Sequence, residues 1–365
     1  MKKLFAAAAG IALLVSCAPP FDLAYSSAAV ILSKMTKESQ LGPLNNYSTG
    51  SYSSTPAFYP EKTASGVDAS RGFYYMTDPG NSQEFLGFVQ PDGFGGYSSF
   101  ISAPVSLYHQ DLTYPAAVTV PVKAGDFTSL TSFDSTNPSN TALAVTQPVL
   151  ATMSYAAVYV LQFSVLGGYG TAPVAAIGVS VSPSPAATDT LYFLIRDSGG
   201  KYWEGLATMN STGVIVTSFA YVVPSPPETL DFLAAGAVRV LYYHDPASGA
   251  SYASFNAGGS WQCWKWWVDS LGVFHETQLT GVVSRIDALL TTGELFSTQN
   301  GIGRVYDSNG NVVASFPMGN LQLAYEEYVN GAPRVFFSLP IVTGDNHMSF
   351  AVYSIATSQI DSLKY

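Results

Sequence analysis

Runs of aromatic and β-branched residues alternate with short Asp-, Gly- and Pro-rich breaks along most of this 365-residue chain. From Arg71 onward one unit recurs: an apolar run, an Asp-led break and a second run. The first runs include Gly72 to Thr77, Thr190 to Arg196, Val238 to His244 and Arg334 to Leu339. The breaks are Asp78-Pro79-Gly80-Asn81, Asp197-Ser198-Gly199-Gly200, Asp245-Pro246-Ala247-Ser248-Gly249, Asp269-Ser270-Leu271-Gly272 and Asp307-Ser308-Asn309-Gly310, with Asn330-Gly331 beside them. An Asp side chain bonds the backbone of its own turn and Gly supplies positive φ, so each break predicts a β-hairpin. The turns from 197 onward recur at roughly 24–48 residues, near one or two hairpins per propeller blade of ~40–45 residues. This spacing predicts an all-β chain folded as an antiparallel β-propeller of six or seven blades. Two β-sandwich domains are the alternative that the same hairpins would build. No WD or kelch signature repeats.

Elsewhere the pattern changes. Leu23 to Lys37 reads as one amphipathic helix capped by Asp22 and carrying Leu23, Ile31, Leu32 and Met35. Asn45 to Pro60 is rich in Ser, Thr, Tyr, Asn and Gly without an apolar period, as in a linker or long loop. No Asp, Glu, Lys or Arg lies between Asp134 and Asp189, and Val149 to Leu166 is apolar enough to raise the question of a membrane span. Within it Tyr155, Ala157, Tyr159, Leu161, Phe163 and Val165 fall on alternate positions, a period of two that predicts a strand.

The first residues are of another kind. Lys2 and Lys3 precede an apolar run from Leu4 to Leu14, too short to span a bilayer comfortably and suited to a secretory leader. The leader ends Leu14-Val15-Ser16-Cys17, which resembles the lipobox of bacterial lipoproteins. The resemblance implies cleavage between Ser16 and Cys17 and lipidation of Cys17, whose acyl chains would hold the protein in a membrane. Two or more chains on one residue anchor stably, at ~0.8 kcal/mol per buried CH₂. Ala18 follows the cysteine, not the Asp that retains many such lipoproteins in the inner membrane, so the resemblance leans toward the outer membrane.

Composition narrows the partners. The formal net charge is −10, and loss of the leader would remove two lysines and leave the chain more acidic. Nucleic acid and electrostatic lipid docking need a basic footprint and are excluded on this ground. Charged residues make up only 11% of the chain, so general acids and bases are scarce. There are two cysteines; with Cys17 assigned to the lipid, Cys263 has no intrachain partner and its aromatic surroundings suit a buried thiol.

Candidate chemistry is sparse. Trp261, Trp264, Trp266 and Trp267 lie within Ser-Trp-Gln-Cys-Trp-Lys-Trp-Trp; on a strand Trp264 and Trp266 share one face and Trp261 and Trp267 the other. Either pair could stack a sugar ring, or the indoles could fill space between sheets. Around Asp197, Gly199 and Tyr202 the chain resembles the Asp-box turn of sialidase-type propellers, with Ile195 in place of the hydroxyl residue. In that family the turn is structural, so the resemblance implies fold and not activity. A sialidase needs three arginines around a carboxylate, and Arg71, Arg196, Arg239, Arg285, Arg304 and Arg334 carry no motif that selects three. Glu326 and Glu327 are adjacent, point to opposite faces of a strand and read as a solvated turn, not as a hydrolytic pair. His109, His244, His275 and His347 lack zinc-ligand spacing; His244-Asp245 and Asp345-x-His347 come nearest to a dyad.

These readings divide the chain into a leader at 1–16, a lipidated tether and linker at 17–60, and a propeller-like domain at 61–365. They predict a lipid-anchored cell-envelope protein, in the outer membrane and facing either the periplasm or the surface. Its body would be a non-enzymatic scaffold for a protein or glycan partner. A propeller-type carbohydrate-active hydrolase and a purely structural envelope component are the alternatives. No metal, cofactor or catalytic residue is assigned.

Overall fold

The structure, a computed structural model, describes residues 29–48, 57–63, 66–77, 84–101, 122–124, 127–132, 142–149, 154–162, 173–184, 189–197, 200–209, 215–222, 240–342 and 347–364. Its strands form six four-stranded antiparallel sheets. Sheet I holds β2 (Ala57–Thr63), β3 (Gly66–Thr77), β4 (Glu84–Pro91) and β5 (Tyr97–Ile101). Sheet II holds β6 (Val122–Ala124), β7 (Phe127–Ser132), β8 (Ala142–Val149) and β9 (Ser154–Gln162). Sheet III holds β10 (Pro173–Ser182), β11 (Asp189–Asp197), β12 (Tyr202–Met209) and β13 (Ile215–Val222). Sheet IV holds β14 (Val240–Asp245), β15 (Ala250–Ala257), β16 (Ser260–Val268) and β17 (Phe274–Gln278). Sheet V holds β18 (Ala288–Leu289), β19 (Leu295–Gln299), β20 (Ile302–Tyr306) and β21 (Val312–Pro317). Sheet VI holds β22 (Gln322–Val329), β23 (Ala332–Val342) and β24 (His347–Ala356), and its fourth strand comes from the other end of the chain, β1 (Thr36–Ser48).

Each sheet is a meander, and first strands approach one another: β6 meets β10, β10 meets β14, β14 meets β18, and β22 meets β2. Consecutive four-stranded meanders gathered by their first strands are the arrangement of an antiparallel propeller. The two-sandwich alternative is not formed, because a sandwich pairs larger sheets through Greek-key crossovers and these sheets take their strands in chain order, β1 excepted. Among the described residues there is no seventh sheet.

Adjacent residues on one strand serve different neighbours, which is why the runs read as continuously apolar. On β23, Val335 and Phe337 join Phe296 and Phe316 of sheet V, whereas Phe336 between them joins Leu41, Phe58 and Val89 toward sheet I. Sheets III and IV meet through Tyr192, Leu194, Tyr202, Tyr242, Phe255 and Trp266. Sheets IV and V meet through Tyr252, Cys263, Leu295 and Tyr306.

Two sequence expectations change here. Residues 36–48, assigned to the tether, are a paired strand: Gln40 opposes Ala351, and Leu41, fully buried, opposes Phe350. Arg334 fastens the join, donating to Ser354 Oγ at 2.6 Å and to Thr36 Oγ1 at 3.3 Å. The expected helix over Leu23 to Lys37 is helical at 29–33 and yields to β1 at Thr36, because pairing with β24 claims the backbone that the helix would have used. Ile31 and Met35 still bury as the apolar period required, against Ile360 and Leu363 of the 3-10 helix Thr357–Leu363. Ser154–Gln162 is a strand, as its period of two predicted. No helix among the described residues is long and apolar enough to cross a membrane.

Candidate functional site

The turns form one structural series. Asp92, Asp269 and Asp307 each place Oδ1 on the N–H groups two and four residues on, at 2.7–2.9 Å: Phe94 and Gly96, Leu271 and Val273, Asn309 and Asn311. Asp197 does the same with Lys201 N–H at 2.9 Å. The third residue after Asp must be left-handed to return the chain to the ladder, and Gly200, Gly272 and Gly310 hold φ near +80°. The second carboxylate oxygen takes a side chain: Trp203 Nε1 on Asp197 at 2.9 Å, His275 Nε2 with Asp269 at 2.8 Å, and Asn311 Nδ2 on Asp307 at 2.9 Å. The bonds to His275 and to the Asn311 amide, with the turn N–H groups, hold the Asp269 and Asp307 carboxyls below the ordinary range. In the Asp197 turn the bonded aromatic is Trp203, whereas Tyr202 faces the seam between sheets III and IV.

The same chemistry runs through the seams. Glu204 on β12 is 5% exposed, and its Oε1 accepts from Tyr242 Oη at 2.9 Å and Trp266 Nε1 at 3.0 Å, both on sheet IV. A buried carboxylate is tolerated only where donors replace water, and here the two donors come from the neighbouring sheet. His244 lies beside this carboxylate, against the Tyr192 ring with centroids 4.6 Å apart and planes tilted by 31°, and with Nδ1 2.9 Å from Ser251 Oγ. Burial lowers its pKa, partly offset by Glu204 and Asp245. Glu326 on β22 bridges sheets V and VI, accepting from Thr291 N at 2.8 Å, Thr291 Oγ1 at 2.7 Å and Thr357 Oγ1 at 2.6 Å; burial nevertheless pushes its carboxyl up. Glu327, on the opposite face of β22, is buried as well. The pair therefore alternates between faces as expected, but it is not a solvated turn: each carboxyl enters the packing on its own side.

The other residues singled out in the sequence separate. Trp266 is buried in the III–IV seam and offers no open ring face; Trp264 packs beside it and donates to Gln262 Oε1 at 3.3 Å. Trp267 packs toward sheet V, stacked on His275 at 5.1 Å with Lys265 Nζ 5.2 Å from its ring. Trp261 is half-buried at the other end of β16, opposite Asn256 and about 20 Å along the strand from Trp267 at ~3.4 Å per residue. Cys263 is a free buried thiol, pushed up to about 12 by burial. Asp245 bonds its own turn, Ala247 N at 3.0 Å and Ser248 Oγ at 2.5 Å, so His244 pairs with Ser251 and not with its sequence neighbour. Arg71 pairs with Asp68, Arg285 with Asp287 and Arg334 with Glu38, at three separate places. Ser16, Cys17, His109, Arg239 and Asp345 lie outside the described residues. Among the described residues, no group of three His, Cys, Asp or Glu side chains could hold a metal ion.

Glu204 was missed by sequence reasoning. The signal was there: a lone acid inside an aromatic strand, Tyr-Trp-Glu-Gly-Leu, in a chain with few charges.

Fold and seams together define an antiparallel propeller in which Asp92, Asp197, Asp245, Asp269 and Asp307 brace turns and Glu204 and Glu326 brace sheet interfaces. No protein-family model and no curated protein sequence matches the chain. Among solved structures it is similar to an AofleA mutant from Arthrobotrys oligospora (11% identity, TM-score 0.40, covering 85% of this chain and 89% of that one). It is similar also to the Dos1 propeller (8%, 0.35, 88% and 96%) and to the Trypanosoma rangeli sialidase (10%, 0.35, 86% and 58%). At these scores the overlaps are coarse, and the fold rests on the sheet order.

Proposed function

We propose that the chain is a lipid-anchored cell-envelope protein whose six sheets form a six-bladed disc acting as a non-enzymatic binding scaffold. The observation that carries the scaffold reading is the commitment of Glu204, Asp245, Glu326 and Asp287 to donors of the framework. A hydrolase needs two carboxyl groups facing a common open space, and these four are spent on turns and seams. The leader and the lipobox at Cys17 support the anchor, and Ala18 favours the outer membrane.

The test pairs location with activity. Cys17→Ala should leave an unprocessed precursor and release the protein from the membrane fraction. The purified wild-type chain should co-sediment with envelope glycan or capture an envelope protein while turning over none of a panel of chromogenic glycosides. Normal processing and retention of the variant would remove the anchor, and glycoside turnover abolished by a single carboxylate substitution would remove the scaffold reading.

A further inference from the structure

In each meander the first and second strands, and the third and fourth, are joined on one face of the disc; the second and third are joined on the other. The joining face carries the turns at Asp92 (β4–β5), Asp245 (β14–β15), Asp269 (β16–β17), Asp307 (β20–β21) and Asn330 (β22–β23). Contacts between sheets agree: Lys265 Nζ near the end of β16 donates to Ser308 O in the β20–β21 turn at 3.0 Å, and Thr291, Glu326 and Thr357 converge at the same level. The chain enters the disc there too, because Thr36 at the start of β1 opposes Ser354 near the end of β24. The preceding helical turn is tied down on that face, with Lys34 Nζ on Ser362 O at 2.7 Å.

The two most exposed large apolar side chains among the described residues stand on this face. Phe94 is 96% and Leu271 87% exposed. Both occupy the second position after Asp in the same turn motif, in sheets I and IV, and each backbone is fixed by its Asp. Half-exposed Val268 and Val273 flank Leu271. Apolar residues scattered singly over a surface need no explanation, but two full-length tips at equivalent positions of rigid turns do.

We infer that this face docks on the lipid leaflet that holds Cys17, with Phe94 and Leu271 entering the interfacial region; the inference rests on the anchor proposed above. The chain length commits the occupant. Between Cys17 and residue 29 only about 11 residues intervene, which at ~3.5 Å each reach ~40 Å at most, so the entry face stays within that distance of the membrane. A tether that short keeps the tips at high effective concentration over the leaflet, and weak insertion then suffices. The acidic balance leaves apolar insertion, not charge, as the means of contact.

The test uses the full-length protein purified from membranes and reconstituted in phosphatidylcholine vesicles containing nitroxide-labelled lipid. Phe94→Cys, Leu271→Cys and, on the opposite face at the start of β16, Ser260→Cys are labelled with an environment-sensitive fluorophore and compared with the parent chain. The buried high-pKa Cys263 stays unlabelled. Labels at 94 and 271 should shift to the blue and lose about half of their emission to the nitroxide, while the label at 260 stays as in water. The mass of the N-terminal peptide is read on the same samples. Lipid on Cys17 with unquenched tips overturns docking and leaves the anchor standing. An unmodified Cys17 with quenched tips upholds docking and removes the anchor, and an unmodified Cys17 with unquenched tips removes both.

Discussion

Glu204 shows how single residues decide this molecule. Its carboxylate is worth keeping only because Tyr242 and Trp266 reach it from the next sheet; without it two buried donors lose their acceptor. Glu204→Ala should therefore cost about 2–4 kcal/mol in urea unfolding, more than truncating an exposed acid, whose loss is typically within ~0.5 kcal/mol. A change under about 1 kcal/mol would mean that water satisfies the donors and that the seam does not depend on this residue. Little of this was legible in the sequence. The turn aspartates announce themselves through Gly three residues on, a local pattern with a local cause. Glu204 finds its partners 38 and 62 residues away, where no spacing rule operates.

At the scale of elements, faces matter more than propensity. Gly205, next to Glu204 on β12, carries the opposite face of sheet III, where a Cβ would overlap the Phe193 ring and the Phe219 carbonyl oxygen. Gly205→Ala should destabilise by about 1–3 kcal/mol through overpacking, read as a lower midpoint of unfolding at an unchanged m value. A neutral substitution would show that the aromatic can swing aside. The strand pattern was legible wherever both faces are apolar, as in Val335-Phe336-Phe337, and in the period of two that identified β9. It failed for β1. Thr36 to Ser48 is mostly polar, and of residues 36–42 only Leu41 is buried, because a fourth strand has one neighbour in its sheet. The four tryptophans were legible as a cluster but not in their use, since a row of indoles on a strand looks the same whether it faces a sugar or the next sheet. For Trp266 and Trp267 it is the seam.

At the scale of the whole molecule, one join supports the rest. Pairing of β1 with β24 brings the two ends of the chain into sheet VI, sets the face at which the tether enters, and seals Leu41 over Phe336, Phe350 and Val352. The overall architecture followed from turn spacing because a propeller repeats one local unit; its closure did not, because it joins positions more than 300 residues apart. Hydrogen exchange of the backbone amides of residues 36–48 in the native protein tests the closed disc most directly. Pairing predicts, for those amides of the strand that face β24, protection comparable to β24 and lost together with it in denaturant. Exchange of these amides at the rate of an unstructured chain, with β24 still protected, would contradict the closure and the tether face that follows from it.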